Sequence, residues 1–257
     1  MWNLIKRNFQ QRIKLLYLFN AILILYVIGV SLSCKYEQLM PSINFLPSLG
    51  TAVNFITAMI IILAALSFSG KRAHQQISKF LMTRATKINV FWSKIIVLLI
   101  QYLELAAVTF IFSILTQRII FHGKYLIPNT AHVIYVMGTT ISGNFIYSSL
   151  LVSATILFSN VIKSAAGTMA ASFGLQYLGE IPMGGFMILV YHHRWLKFNP
   201  FNFLFVQNQI VKPINHTMSK ISMVGAVVGS IFYTIIFLLF AYLAFIKNSK
   251  QTKINHR

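Results

Sequence analysis

The chain has 257 residues, 57% of them apolar or aromatic and only 10% charged, where a soluble domain carries about 25% charged residues. Twenty-two Lys and Arg face three carboxylates, Glu37, Glu104 and Glu180, and Asp is absent. That balance excludes an Asp-dependent phosphotransfer site, a paired-Asp protease and an Asp-rich calcium or magnesium cage.

The mean hydropathy of +0.71 predicts an all-α polytopic membrane protein, one domain over residues 1–257. Across residues 2–16 the apolar positions Trp2, Ile5, Phe9, Ile13 and Leu16 recur at steps of three or four, with Lys6, Arg7, Gln10, Gln11 and Lys14 on the other face. This predicts an amphipathic helix over residues 1–14 lying in the membrane interface, or else the basic flank of the first span. Six apolar stretches follow, 15–33, 49–69, 95–115, 133–158, 165–181 and 221–246. Each is near the roughly 20 residues that cross a hydrocarbon core of about 30 Å, so six transmembrane helices are expected. Gly174, Gly179, Pro182, Gly184 and Gly185 interrupt the fifth. Cys34 is the single cysteine, so no internal disulfide or thiolate metal cluster can form.

Cations in alternate connections sum to 15 for the N-terminal segment, the second loop, the fourth loop and the tail 247–257, against seven for the other set. By the positive-inside rule both termini face the cytoplasm, with the cations at the ends of apolar stretches meeting lipid headgroups rather than nucleic acid. Two connections exceed simple turns. The cytoplasmic one, 70–94, is basic and helix-competent near residues 73–82. The external one, 182–220, is apolar and aromatic; residues 186–191 and 201–210 read as short helices dipping into the outer leaflet, broken by Asn199 and Pro200. Irregular backbone at that depth must be buried in protein or line a cavity, so this re-entrant segment belongs to the working structure.

Catalytic signals are missing. A phosphate-cradling loop needs Gly, four residues, Gly, Lys, then Ser or Thr, and neither Gly70–Lys71 nor Gly123–Lys124 supplies it. ATP hydrolysis is therefore expected in a partner subunit, with no cofactor in this chain. His192 and His193 are adjacent and point about 100° apart on a helix, so no metal site is expected. Two carboxylates remain as candidate pathway or gate residues. An ionised Glu104 near the centre of the third span costs about 2.5–3.5 kcal/mol on insertion scales. It either contacts cargo or a proton in a central cavity or locks two helices together with partners such as Gln101 and Tyr102. Glu180 lies where the fifth span should break, either as a gate paired with Arg194 or Lys197 or as a solvated loop carboxylate. The aromatic residues Tyr191, Trp195, Phe198, Phe201, Phe203 and Phe205 read as an interfacial belt. Gly225 and Gly229, with the small residues of 164–174, mark close helix packing within one chain or between two.

An interfacial N-terminal helix, six spans, a basic helical loop after the second and an apolar re-entrant loop before the last together resemble the permease subunits of type-2 ATP-binding-cassette exporters. The likeness extends over essentially the whole chain. It implies that Lys79, Phe80, Leu81, Met82, Arg84 and Lys87, followed by Val90, Phe91 and Lys94, correspond to the coupling helix that docks on the ATPase. Gly70 and Lys71 stand where the family is often acidic, and Arg84 falls about where it has Pro. Phe198, Asn199, Pro200, Phe201 and Asn202 are similar to the aromatic Asn-Pro-Phe segment before the family's last span. The resemblance implies an ATP-binding-cassette ATPase and a second permease chain, identical or homologous, as partners. It further implies a multi-pass protein of a bacterial plasma membrane exporting an amphipathic or hydrophobic cargo, such as an antimicrobial or toxic peptide, as in bacteriocin immunity, or a lipid. The rivals are a proton-coupled secondary transporter built around Glu104 and a non-transporting membrane scaffold.

Overall fold

The computed structural model describes residues 1–36, 52–70, 75, 86–122, 130–162, 164–180, 190, 192–211 and 216–254. Among them the ordered elements are helical: α1 (Trp2–Lys35), α2 (Ala52–Phe68), α3 (Lys87–Ile120), α4 (Thr130–Ile162) and α5 (Ala165–Glu180), then a 3₁₀ turn (Arg194–Phe198), α6 (Pro200–Phe203), α7 (Val206–Val211), α8 (His216–Ser219) and α9 (Met223–Ile254). Four segments are long and apolar enough to cross a bilayer: Trp2–Lys35, Lys87–Ile120, Ile134–Ile162 and Met223–Asn248. With 17 and 16 residues, α2 and α5 rise only ~25 Å, short of a full hydrocarbon core.

Two expected boundaries shift. The amphipathic stretch 1–14 is not a separate interfacial helix, because α1 runs unbroken from Trp2 to Lys35. No Pro interrupts it and its first Gly is Gly29, so nothing turns the chain out of the helix before the apolar run. The connection expected to reach Lys94 ends at Thr86, whose Oγ1 accepts from the Asn89 N–H at 3.3 Å and caps α3. Val90, Phe91 and Lys94 thus lie inside α3 and are buried.

Directions follow from side-chain pairs. Asn8 Nδ2 donates to Ser93 Oγ at 3.1 Å and Asn20 Nδ2 to Glu104 Oε1 at 2.9 Å, so α1 and α3 run parallel. Lys94 reaches the Ser67 carbonyl at the end of α2, Lys87 Nζ donates to the Ile246 carbonyl of α9 at 3.4 Å, and Asn248 Nδ2 to the Asn160 carbonyl of α4 at 2.7 Å. The starts of α1 and α3 therefore share one end of the bundle with the last turns of α2, α4 and α9. An aromatic knot holds that end: Phe91 lies 5.6 Å from Phe68, 5.5 Å from Phe245 and 5.2 Å from Tyr242, centroid to centroid. Such pairs contribute roughly 0.5–1.5 kcal/mol beyond their buried area.

Six buried hydroxyls are reconciled with an apolar surround by bonding to their own helix. Ser31, Ser67, Thr109, Thr155, Ser172 and Ser230 each donate to the carbonyl four residues earlier, leaving no free donor to face hydrocarbon.

Candidate functional site

The segment between α5 and α9 is built by local capping. Asn199 and Pro200 divide the segment as expected, ending the 3₁₀ turn at Phe198 and starting α6: the Asn199 side chain accepts from the Phe201 N–H at 3.0 Å and Pro200 occupies the first turn. Asn202 Nδ2 donates to the Lys197 carbonyl at 2.8 Å and the Ser219 carbonyl at 3.0 Å, and Gln209 Nε2 to the Ile221 carbonyl at 2.7 Å. The segment is thereby folded on itself and fastened to the entry of α9.

It then packs deep into the bundle, and glycine permits the approach at two places. At Gly143 of α4, a Cβ would stand 3.4 Å from the Ile210 side chain and 3.5 Å from Gln207 Cα; at Gly229 of α9, it would lie 1.9 Å from the Phe203 ring. Gly229 of the small-residue pair therefore seats a ring of its own chain, while Gly225 faces Ile221 and Ser222 at the helix start.

Beside Gly143 four elements meet in one polar node. Asn144 Nδ2 donates to Thr57 Oγ1 of α2 at 2.8 Å and to Gln207 Oε1 of α7 at 3.3 Å. Its Oδ1 accepts from Tyr102 Oη of α3 at 2.9 Å and from Ser148 Oγ at 3.3 Å, and Ser148 shares a 2.8 Å bond with Thr57. Thr57, Tyr102, Asn144 and Ser148 are all buried, and one amide uses both its donors and its acceptor. Near the middle of a 33-residue helix, such a node is costly to open, because each group released must find another partner in an apolar medium.

An apolar cavity of about 160 Å³ opens beside the node between α2, α3, α4 and α9, lined by Leu98, Tyr102, Phe145, Ser148 and Leu238 among others. A second, also about 160 Å³, lies between α4, α5, α6 and α9 around Leu157, Phe201 and Phe237. Each is about the size of an apolar cavity that admits benzene, room for a side chain or a few methylenes.

The residues expected from sequence are dispersed. Lys79, Phe80, Leu81, Met82 and Arg84 lie outside the described residues; Lys87 begins α3 and bonds to α9. Glu104 is half-buried and meets Asn20 of α1 rather than the expected Gln101 or Tyr102. Two residues on a helix differ by about 200°, so Glu104 points toward α1 while Tyr102 points into the node. Glu180 closes α5, with its side chain and that of Arg194 outside the described residues; Lys197 lies 4.9 Å from the Phe198 ring centroid. Among the described residues no group of three His, Cys or carboxylate side chains comes together to hold a metal. The node itself escapes a search for ionisable groups, since none of its members is charged. Its one sequence signal is that Asn144 is the single Asn or Gln in the apolar stretch 133–158.

The class these features define is an all-helical bundle with four helices long and apolar enough to span a membrane. Compared with protein-family models, curated proteins and solved structures, the chain has no match.

Proposed function

We propose that the chain is the permease subunit of a type-2 ATP-binding-cassette exporter with six spans, both termini in the cytoplasm and the segment before α9 re-entrant from the outer side. A separate ATPase hydrolyses ATP and grips the loop 70–94 through Lys79, Phe80, Leu81, Met82, Arg84 and Lys87, and a second permease chain completes the pathway. The cargo is amphipathic or hydrophobic, an antimicrobial or toxic peptide or a lipid. The observation that carries this reading is the Asn144 node, which ties the segment before the last helix to α2, α3 and α4.

The mechanical logic is short. Force applied to the loop enters the bundle at the start of α3, where Phe91 is buried against α2 and α9. One stiff helix carries it to Tyr102, whose bond to Asn144 couples α3 to the residue that also holds α7 through Gln207. Interfaces of this kind switch between discrete packings rather than deforming smoothly. The mostly apolar cavity beside the node suits a side chain or acyl segment of an amphipathic cargo.

Affinity purification from native membranes tests the assignment: an ATP-binding-cassette ATPase should accompany the chain, and Lys79→Glu with Arg84→Glu should release it while leaving thermal unfolding unchanged. A chain that transports in proteoliposomes with no ATPase, driven by a pH gradient, would sink the proposal.

A further inference from the structure

At the shared end of the bundle, the last turn of α2 presents carbonyls that have no partner within the helix. Arg12 of α1 donates to the Leu66 carbonyl and Lys94 of α3 to that of Ser67, and the Lys94 ammonium lies 5.5 Å from the Phe68 ring centroid. The contact has an evident structural role, since cations favour helix C-termini. A helix end, however, carries only about half a negative charge, less than Arg12 and Lys94 together bring when protonated. The single carboxylate among the described side chains, Glu104, is ten positions beyond Lys94 on α3, ~15 Å along the axis, and is engaged by Asn20.

These two basic groups meet in one narrow cleft of about 10 Å³, room for a single oxygen-sized group, lined by Asn8, Gln11, Arg12, Ser67, Lys94 and Val97. Lys94 is only 3% exposed, and burying a cation without a counter-charge is expensive. The donors have the right form for an oxyanion: a planar guanidinium fork, an ammonium with two further N–H groups, and the exposed Gln11 amide at the mouth. Trp2 and Trp92 are 73% and 44% exposed at the same end, and Trp exposed at a helix end marks the headgroup level of a bilayer.

We propose that the Arg12–Lys94 cleft takes one phosphate oxygen of an anionic phospholipid headgroup seated at its mouth, which serves as the missing counter-ion and fastens α1, α2 and α3 to the membrane surface. This site does not depend on what the chain transports or on what drives it.

The test measures thermal unfolding of the purified full chain in phosphatidylcholine nanodiscs, with and without phosphatidylglycerol, and in phosphatidylcholine with millimolar inorganic phosphate. Phosphatidylglycerol should raise the Tm by several degrees, and Arg12→Gln and Lys94→Gln should lose most of that gain. A purely capping role predicts the opposite pattern, a Tm lowered equally in both lipids with the phosphatidylglycerol gain intact, and would overturn the proposal. Gln11→Glu guards against variants that fail to fold: it leaves both caps in place, puts a carboxylate at the cleft mouth, and should abolish the gain while the protein remains folded. Equal Tm in the two lipids for the unsubstituted chain, a gain that survives Gln11→Glu, or full reproduction of the gain by inorganic phosphate would each refute the lipid assignment.

Discussion

Asn20 donates to Glu104 across the α1–α3 contact, and the value of that bond depends on which partner is removed. Glu104→Gln keeps an oxygen that can accept from Asn20, so it should change stability by no more than ~0.5 kcal/mol. Asn20→Leu leaves a half-buried carboxylate without its donor, and stranding a buried polar group costs about 1–3 kcal/mol. Replacing both residues by Leu should recover much of the loss, and thermal unfolding of the three variants in one lipid composition closes the cycle. If Glu104→Gln proves as damaging as Asn20→Leu, the charge has a task beyond joining two helices, and a cargo or proton contact regains ground. The Asn144 node behaves differently because it has several members. Tyr102→Phe removes one hydroxyl, where bonds between spanning helices average about 0.6 kcal/mol and reach about 1.7. Asn144→Leu strands Gln207 and leaves Tyr102 only the Ile141 carbonyl at 3.3 Å, and should expose residues 192–211 to limited proteolysis far more than Tyr102→Phe does. Equal protection in both variants would show that the node does not hold the segment.

Phe203 on Gly229 is the point where the segment before α9 is seated by shape. The ring is buried, with Tyr233 5.3 Å away centroid to centroid, so it has little freedom to yield to a Cβ placed 1.9 Å from it. Gly229→Ala should therefore cost about 1–3 kcal/mol by overpacking, and should do so by lifting α6 off α9 rather than by unwinding α9, because Ala favours a helix interior over Gly by nearly 1 kcal/mol. Proteolysis within residues 192–211 at constant helical circular dichroism is the expected signature; loss of helicity would contradict it. Much at this scale was legible in the sequence, since hydrophobicity and helix length are local properties: five of the six apolar stretches lie largely within α1, α2, α3, α4 and α5, and the sixth within α9 apart from its first two residues. The division at Asn199 and Pro200 was legible for the same reason, because an Asn cap followed by Pro in the first turn is a local signal for the start of a helix. Arg12 counted only in the cation sum of the N-terminal segment, and Lys94 only in that of the loop 70–94 and in the implied coupling stretch; their role at the end of α2 depends on which carbonyls come within reach, and no periodicity encodes that. Asn144 was visible as an isolated amide, but its four partners come from three other regions of the chain as well as its own helix.

The bundle as a whole has a sidedness that its internal contacts define without reference to a membrane. Asn8 with Ser93, Lys87 with Ile246 and Asn160 with Asn248 gather the starts of α1 and α3 and the distal part of α9 at one end, while Lys35, Phe121 and Met223 mark helix termini at the other. The cation-rich connections leave from the first end, which the proposed orientation places at the cytoplasm. In a Cys34→Ser background, chosen because Cys34 is buried and its removal leaves no competing thiol, Gln75→Cys should react with a membrane-impermeant maleimide only in inside-out vesicles. Lys220→Cys, just before α9, should react only from the outer side of intact cells. Labelling of both from one side would require the chain to cross the membrane an even number of times between residues 75 and 220. Labelling of both from the cytoplasmic side would remove the outer-side origin of the segment before α9, and labelling of both from the outer side would remove the cytoplasmic docking of loop 70–94.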